Sequence, residues 1–298
     1  TFTLLPDGDN YVLVIRGTGA LPKTNLYGDP ATVSQFHTCF NTYYASWHNK
    51  YLGAYLYNAD GEIVGYVDDK GRYMEIGYDY DKAPEKLITD TETVQRRQPT
   101  PTFTSNAINK IKTVVIDNGI TNISGDYLIQ MKIERIIYSN TVKSLGERAL
   151  WNTNTLVSVT PKGEKPVDGL IDLSGFTSFG NCAFQKGNLM GKNVILPKGV
   201  KIAQELFSDS QINAVSTDRR TIIDGFADLR GVTSIGNKAF ATAKISKIYF
   251  DDSIASIPAE AFSTSLSMTI YTNAENVSNA SAFASSGSRT YIGGTSFE

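Results

Sequence analysis

Gly231-Val232-Thr233-Ser234-Ile235-Gly236-Asn237-Lys238-Ala239-Phe240 has a near copy upstream, Gly175-Phe176-Thr177-Ser178-Phe179-Gly180-Asn181-Cys182-Ala183-Phe184, displaced by 56 residues. Weaker copies surround the pair. They are Gly119-Ile120-Thr121-Asn122-Ile123-Ser124, Thr141-Val142-Lys143-Ser144-Leu145-Gly146 with Ala149-Leu150, Gly199-Val200-Lys201-Ile202-Ala203 with Leu206-Phe207, and Ser253-Ile254-Ala255-Ser256-Ile257-Pro258 with Ala261-Phe262. A degenerate seventh ends at Ala282-Phe283. The central apolar residue falls at 123, 145, 179, 202, 235 and 257, with steps of 22, 34, 23, 33 and 22. Short and long steps alternate, so the duplicated unit is a pair of coils running from 123 to 179 and again from 179 to 235. A fixed period of this size is the mark of a stacked repeat architecture.

The longer steps carry about 11 extra residues, Pro161 to Gly169 and Ser216 to Gly225, each ending in Asp-Gly. That dipeptide favours tight turns, so both extras read as loops or small hairpins on one side of the array. Before each phrase lies a short run rich in Ile and Val: Val114-Val115-Ile116, Ile133 to Ile137, Leu170 to Leu173, Val194-Ile195-Leu196 and Ile245 to Phe250. Such runs fit strands of a few residues. A unit of 22 residues with one strand cannot bury its own apolar side. Stacking at about 4.8 Å, with strands paired in parallel, buries a continuous column. The Ile of Thr-Ser-Ile-Gly and the Phe of Ala-Phe are the expected ladder residues within it. The Gly after that Ile is read as a backbone turn that a Cβ would resist.

The composition agrees with this and closes other routes. Across 298 residues, 41% are hydrophobic and 19% charged, with a net charge of −2, so no basic excess exists for nucleic acid. No apolar run reaches the roughly 18 residues of a membrane helix. Two cysteines, Cys39 and Cys182, exclude a disulfide-built scaffold and leave one long-range bridge open. The chain opens at Thr1-Phe2-Thr3 without Met, which is expected of a mature or trimmed fragment whose targeting segment was removed.

These repeats resemble the BspA-like bacterial leucine-rich repeats, whose unit runs as a short strand, then Val-Thr-Ser-Ile-Gly, two variable positions and Ala-Phe. Residues 231–240 match throughout; 175–184 differ by Phe176 for Val and Phe179 for Ile. The resemblance covers roughly 108–284, and Gly17-Thr18-Gly19-Ala20-Leu21 is similar to the strand that often precedes the first repeat, with Arg16 in place of Ser. The first repeat departs from the pattern, with Ser124 for Gly and Tyr127-Leu128 for Ala-Phe, as suits a terminal coil. The resemblance implies a repeat solenoid, a right-handed leucine-rich-repeat-like coil with short parallel strands and about seven coils over 107–298. It also implies an extracellular or cell-surface location, outer-membrane-anchored or secreted, and tethering through a removed N-terminal segment where the protein stays on the cell. Its expected partner is a host or bacterial surface protein, or a glycan. No catalytic residue belongs to the pattern.

Residues 1–106 do not repeat. They hold 11 of the 16 tyrosines and carry a net charge of −4 against +2 for the remainder, so they form a region of separate character. Phe36, Phe40, Tyr43, Tyr44, Trp47 and Tyr51 recur at helical steps. Leu56-Tyr57, Glu62 to Tyr66 and Arg72 to Ile76, separated by Asp60-Gly61 and Lys70-Gly71, predict a three-stranded meander. A small α+β domain followed by a linker over about 84–106 is therefore expected before the solenoid. Tyr57, Tyr66, Tyr73 and Tyr78, with Asp79, are the candidate ligand-binding residues, because Tyr pairs a stacking plane with a hydroxyl among acidic neighbours. The plainer reading packs these rings inside the domain. His37, Cys39 and His48 lack a fourth ligand for structural zinc, and the Asn58-x-Asp60-Gly61-Glu62 segment lacks the distant bidentate Glu of a calcium loop, so no metal or cofactor is expected. On the repeat sheet, Thr113, Glu134, Arg135, Asp172 and Lys247 read as a mixed polar surface. The leading expectation is a non-catalytic interaction module. The alternative is an accessory or catalytic component of glycan processing, with its chemistry in 1–106.

Overall fold

The computed structural model describes residues 2–21, 55–57, 63–67, 73–75, 110–125, 128–129, 131–219, 222–254, 257–264, 266–272, 280–283 and 289–293. The chain divides into two compact units, residues 1–21 with 111–298, and residues 22–110.

The first unit is a solenoid. Its main sheet has 12 strands in the order Phe2–Asp7, Asn10–Ile15, Ile111–Ile116, Arg135–Tyr138, Ser158–Pro161, Leu170–Asp172, Asn193–Ile195, Ala214–Ser216, Phe226–Asp228, Lys247–Tyr249, Met268–Tyr271 and Arg289–Ile292. The first two pair antiparallel and every later pairing is parallel. Val114, Ile136, Val159, Ile171, Val194, Val215, Ala227, Ile248 and Ile270 pair across it and are at most 2% exposed. One residue per strand thus builds a continuous apolar column, as stacking requires.

A second, shorter ladder runs beside it. Gly19–Ala20, Ile120–Ile123, Ser144–Leu145 and Ser178–Phe179 form one group, and Lys201–Ile202 with Ser234–Ile235 another. Ile123, Leu145 and Phe179 are in register, as are Ile202 and Ile235, which are the expected ladder positions. Phe179 is only half-buried; its ring leans on Phe176, with centroids 5.8 Å apart.

The remaining side is a ribbon of consecutive turns. Arg148, Cys182, Glu205, Lys238 and Glu260, the residues just before each Ala-Phe, Ala-Leu or Leu-Phe pair, all take the left-handed conformation, with φ between 51° and 59°. Asn152, Lys186, Asp209 and Thr242, each four residues on, do so as well. Left-handed backbone costs an L-residue roughly 1–2 kcal/mol. It is compensated here because alternate N–H groups then point at the next coil: Leu150 to Ala183, Phe184 to Leu206, Phe207 to Ala239 and Phe240 to Ala261, at 2.8–3.0 Å. Beneath the ribbon, Phe184, Phe207, Phe240, Phe262 and Phe283 stack with centroids 5.1–5.7 Å apart, all at most 1% exposed. Leu128 and Leu150 are likewise buried in the first two coils.

Three expectations change. The two extras are not hairpins: each returns the chain into a parallel strand, pairing Val159 with Ile171 and Val215 with Ala227, so they are short coils that add a strand to the main sheet. The Asp-Gly turn folds the chain back without reversing the strand, as Gly169 N donates to Val157 O and Gly225 N to Asn213 O, both at 3.0 Å. Residues 1–21 belong with the solenoid and not with the rest of the expected N-terminal region 1–106, because their strands lie on the solenoid's two sheets. Tyr11 to Ile15 has the alternation of a strand and no copy of the repeat phrase, so its sequence does not name its neighbour. Finally, the motif glycine is required by close approach. A Cβ on Gly180 would lie 2.2 Å from Glu147 N, and one on Gly236 would lie 2.4 Å from Gln204 N.

In the second unit, Tyr55–Tyr57, Ile63–Val67 and Tyr73–Glu75 form the expected antiparallel meander. The aromatic-rich stretch 36–54 and the linker over about 84–106 lie outside the described residues.

Candidate binding cleft at an open junction

Most coils meet their neighbours along all three sides. Gly146 N donates to Ile123 O at 2.7 Å, Gly180 N to Leu145 O at 2.6 Å, and Gly236 N to Ile202 O at 2.8 Å. One residue pair earlier in the corner, Lys143 N donates to Thr121 O, Thr177 N to Lys143 O, and Thr233 N to Val200 O. Between the coil of Phe179 and the coil of Ile202 the series stops. Among the described residues, neither Val200 N to Thr177 O nor Ala203 N to Phe179 O is formed. The main sheet continues past this point through Ile171 and Val194, and the turn ribbon through Cys182 N to Gln204 O.

The cause is visible in one position. Ala203 stands where Gly146, Gly180 and Gly236 stand in the paired coils. Its Cβ would meet the backbone of the preceding coil, as a Cβ on Gly180 or Gly236 would. The inter-coil hydrogen bonds are therefore lost here, although Ser178–Phe179 and Lys201–Ile202 remain neighbours. Pro197, which has no N–H, heads the adjoining corner, and Gly199 N donates away from the gap to Gly231 O at 2.8 Å.

Beside this junction lies a cleft of about 600 Å³, between the corners 174–177 and 196–200. Lys143, Lys198 and Arg219 line it, and its lining holds no carboxylate. Phe176, Ile195, Leu196 and Pro197 supply apolar floor. Lys143 Nζ reaches Gly175 O at 3.4 Å. Phe176 is 2% exposed, its ring 4.6 Å from that of Tyr138. The Tyr138 hydroxyl accepts a bond from Gly175 N at 3.1 Å, and burial above all pushes its pKa up, so it stays protonated.

Arg219 fixes one wall. It projects from the second short coil and bonds Glu164 of the first at 2.8 Å, Asp172 at 2.5 Å and Ser174 Oγ at 3.2 Å. Asp172 was expected on an exposed polar surface; its side chain is only 3% exposed, because Arg219 covers it and Ser174 N caps its Oδ1 at 3.0 Å. The duplicate Asp228 is equally buried, and there Arg230, two residues on, gives both the backbone N–H and the guanidinium. Ser174 stands at the place of Arg230, so a remote arginine does the work. A smaller pocket of about 210 Å³ adjoins the cleft and shares Ile195 and Arg219 with it. Of the other expected surface positions, Arg135 pairs with Asp168 at 2.9 Å and Glu134 with Lys112 at 3.1 Å.

The tyrosine candidates are apart from this cleft in sequence. Tyr57, Tyr66 and Tyr73 lie on the three strands of the second unit; Tyr66 pairs with Tyr55 and Met74, and Tyr73 with Val67. Tyr78 and Asp79 lie outside the described residues, as do His37, Cys39 and His48. The Cys182 thiol is half-buried, and burial, then the Glu205 carboxylate, push its pKa up to about 11, so it is no activated nucleophile.

A family model described as BspA type leucine rich repeat region matches residues 98–164 and 177–296, in six copies. The chain belongs to the BspA-type leucine-rich repeat family. No curated protein matches it significantly. Among solved structures, the pneumococcal vaccine antigen PcpA is similar over 62% of this chain and 78% of its own, at 9% identity and a TM-score of 0.20, which carries no functional argument. BspA-type repeats specify how coils stack; a partner is chosen by what a given member builds between them. Among the described residues, the Ala203 junction is one such departure; Pro258, which has no N–H, stands at the same position in the coil of Ile257.

Proposed function

We propose that the protein is a non-catalytic, adhesin-like interaction module, secreted or displayed on a bacterial surface, that binds a protein or glycan partner through its solenoid. Membership of the BspA-type family supports a binding rather than a catalytic role, and no described helix is long and apolar enough to cross a membrane. The observation that carries the reading is a concave, carboxylate-free site beside an interruption of the short ladder. Tyr57, Tyr66, Tyr73, Tyr78 and Asp79 are proposed as a second contact set on residues 22–110, whose standing as an independent domain is part of the same proposal. The test is saturable binding of the full chain to immobilised surface proteins and to a glycan array. Retention of unmodified partner supports the module; release of cleaved glycan overturns it in favour of glycan processing.

A further inference from the structure

We propose that the open junction beside Ala203 is a docking site for an acidic peptide, an extended segment whose carboxylates meet Lys143 and Lys198. This deepens the binding-module reading and rests on it.

Three observations point to this ligand. The lining carries the cations Lys143, Lys198 and Arg219 and no carboxylate, so its local charge is complementary to an acidic segment although the whole chain is near neutral. Arg219 is already engaged by Glu164 and Asp172, which leaves the two lysines as the cations available to a ligand. Next, the interrupted ladder leaves the main-chain N–H of Val200 and Ala203 and the carbonyls of Thr177 and Phe179 without their usual inter-coil bonds. Of these, the carbonyl of Thr177 and the N–H of Val200 belong to residues that line the cleft, where one acceptor and one donor are left for the main chain of a peptide. The third observation concerns the alternative. An acidic sugar would want an exposed ring face to stack on, and the sole aromatic in the lining, Phe176, is buried against Tyr138. Peptide is therefore the better match.

Fluorescence anisotropy on the full chain tests the site, with a short labelled oligoglutamate peptide as the probe. Matched oligoglutamine and oligogalacturonate serve as the comparison probes. The glutamate peptide is expected to bind saturably, to weaken as salt is raised to about 0.15 M, and to lose roughly fivefold to tenfold in affinity in Lys198→Ala or Lys143→Ala. Ala203→Gly, which lets the ladder close, is expected to lose binding without touching a charge. Unchanged melting of Lys198→Ala separates a lost contact from a lost fold. Equal binding of the glutamine peptide, or binding of oligogalacturonate in place of peptide, overturns the proposal. So does glutamate binding that is unaffected by all three variants. Should the array partner of the full chain still bind Lys198→Ala with wild-type affinity, the cleft is refuted while the interaction-module reading stands.

Discussion

Gly236 and Ala203 occupy the same position in neighbouring coils, yet Gly236 closes the short ladder onto the coil of Ile202 and Ala203 leaves it open toward the coil of Phe179. The two junctions differ on the main sheet, where Ala214–Ser216 lies between the strands of the closed pair while Leu170–Asp172 and Asn193–Ile195 pair directly at the open one, but they share the remaining interlocks. Both have paired main-sheet strands, both have the turn ribbon intact, and both have stacked phenylalanines, Phe184 on Phe207 at 5.5 Å and Phe207 on Phe240 at 5.7 Å. One of three interlocks is thus interrupted at the open junction, and two remain to hold the array. Redundant interlocks are what let a solenoid carry a cleft without breaking, since each coil touches only its neighbours.

The aromatic column is the interlock on which both junctions depend, and its loss is the largest effect expected. Phe240→Ala at the closed junction, or Phe184→Ala at the open one, removes a ring that is at most 1% exposed and should cost about 3–5 kcal/mol in denaturant titration. The open junction has less to fall back on, so Phe184→Ala is expected to sit at the upper end. A loss below about 1 kcal/mol would mean that the ladder does not bear the stack.

Gly180→Ala tests the closed state directly. Its Cβ would stand 2.2 Å from Glu147 N and 2.5 Å from Gly146 C, both backbone, which cannot swing aside. A loss of about 3 kcal/mol is expected, with faster amide exchange at Gly180. A neutral result would break the explanation given for Ala203 as well. The reverse substitution, Ala203→Gly, sharpens the comparison. It adds two inter-coil hydrogen bonds worth about 1 kcal/mol each and gives up about 0.5–1 kcal/mol of backbone entropy. The amides of Val200 and Ala203 should slow in hydrogen exchange; continued fast exchange would place the cause in the Pro197-Lys198-Gly199 corner instead.

Much of this was legible in the chain. The register positions 123, 145, 179, 202 and 235 follow from the repeat phrase, because inward-facing residues must be apolar and the spacing is fixed by stacking. Ala203 itself was readable as a departure from Gly, but its consequence needs the distance between backbones, which no single sequence contains. The buried Asp172 was not legible, since its partner Arg219 lies 47 residues away in another coil. Nor were the left-handed residues: Arg148, Cys182, Glu205, Lys238 and Glu260 have no intrinsic leaning to that conformation, and the stack imposes it on them. Arg219→Ala probes the remote contact. Removing a half-exposed guanidinium from a carboxylate that is 3% exposed should cost about 2–3 kcal/mol, whereas Ser174→Ala should cost well under that, because its backbone N–H still caps Asp172.

The smallest effect runs the other way and concerns the ribbon that crosses both junctions. Thr242 is exposed and β-branched, and it sits at φ 67°, a conformation in which its branched Cβ is crowded by its own carbonyl. Its N–H donates to Ser263 O at 2.8 Å, a bond that any non-proline residue keeps. Thr242→Gly therefore removes local strain while leaving the inter-coil contact in place, and the gain exceeds the extra entropy that glycine brings to the unfolded chain. A stabilisation of about 0.5–1 kcal/mol is expected, read as a rise of roughly 1–4 °C in melting temperature. Asp209→Gly, exposed at φ 58° without a β-branch, should give less. If both variants destabilise, the left-handed positions are supported by their side chains as well as by the inter-coil bonds, and the ribbon is then more than a backbone device.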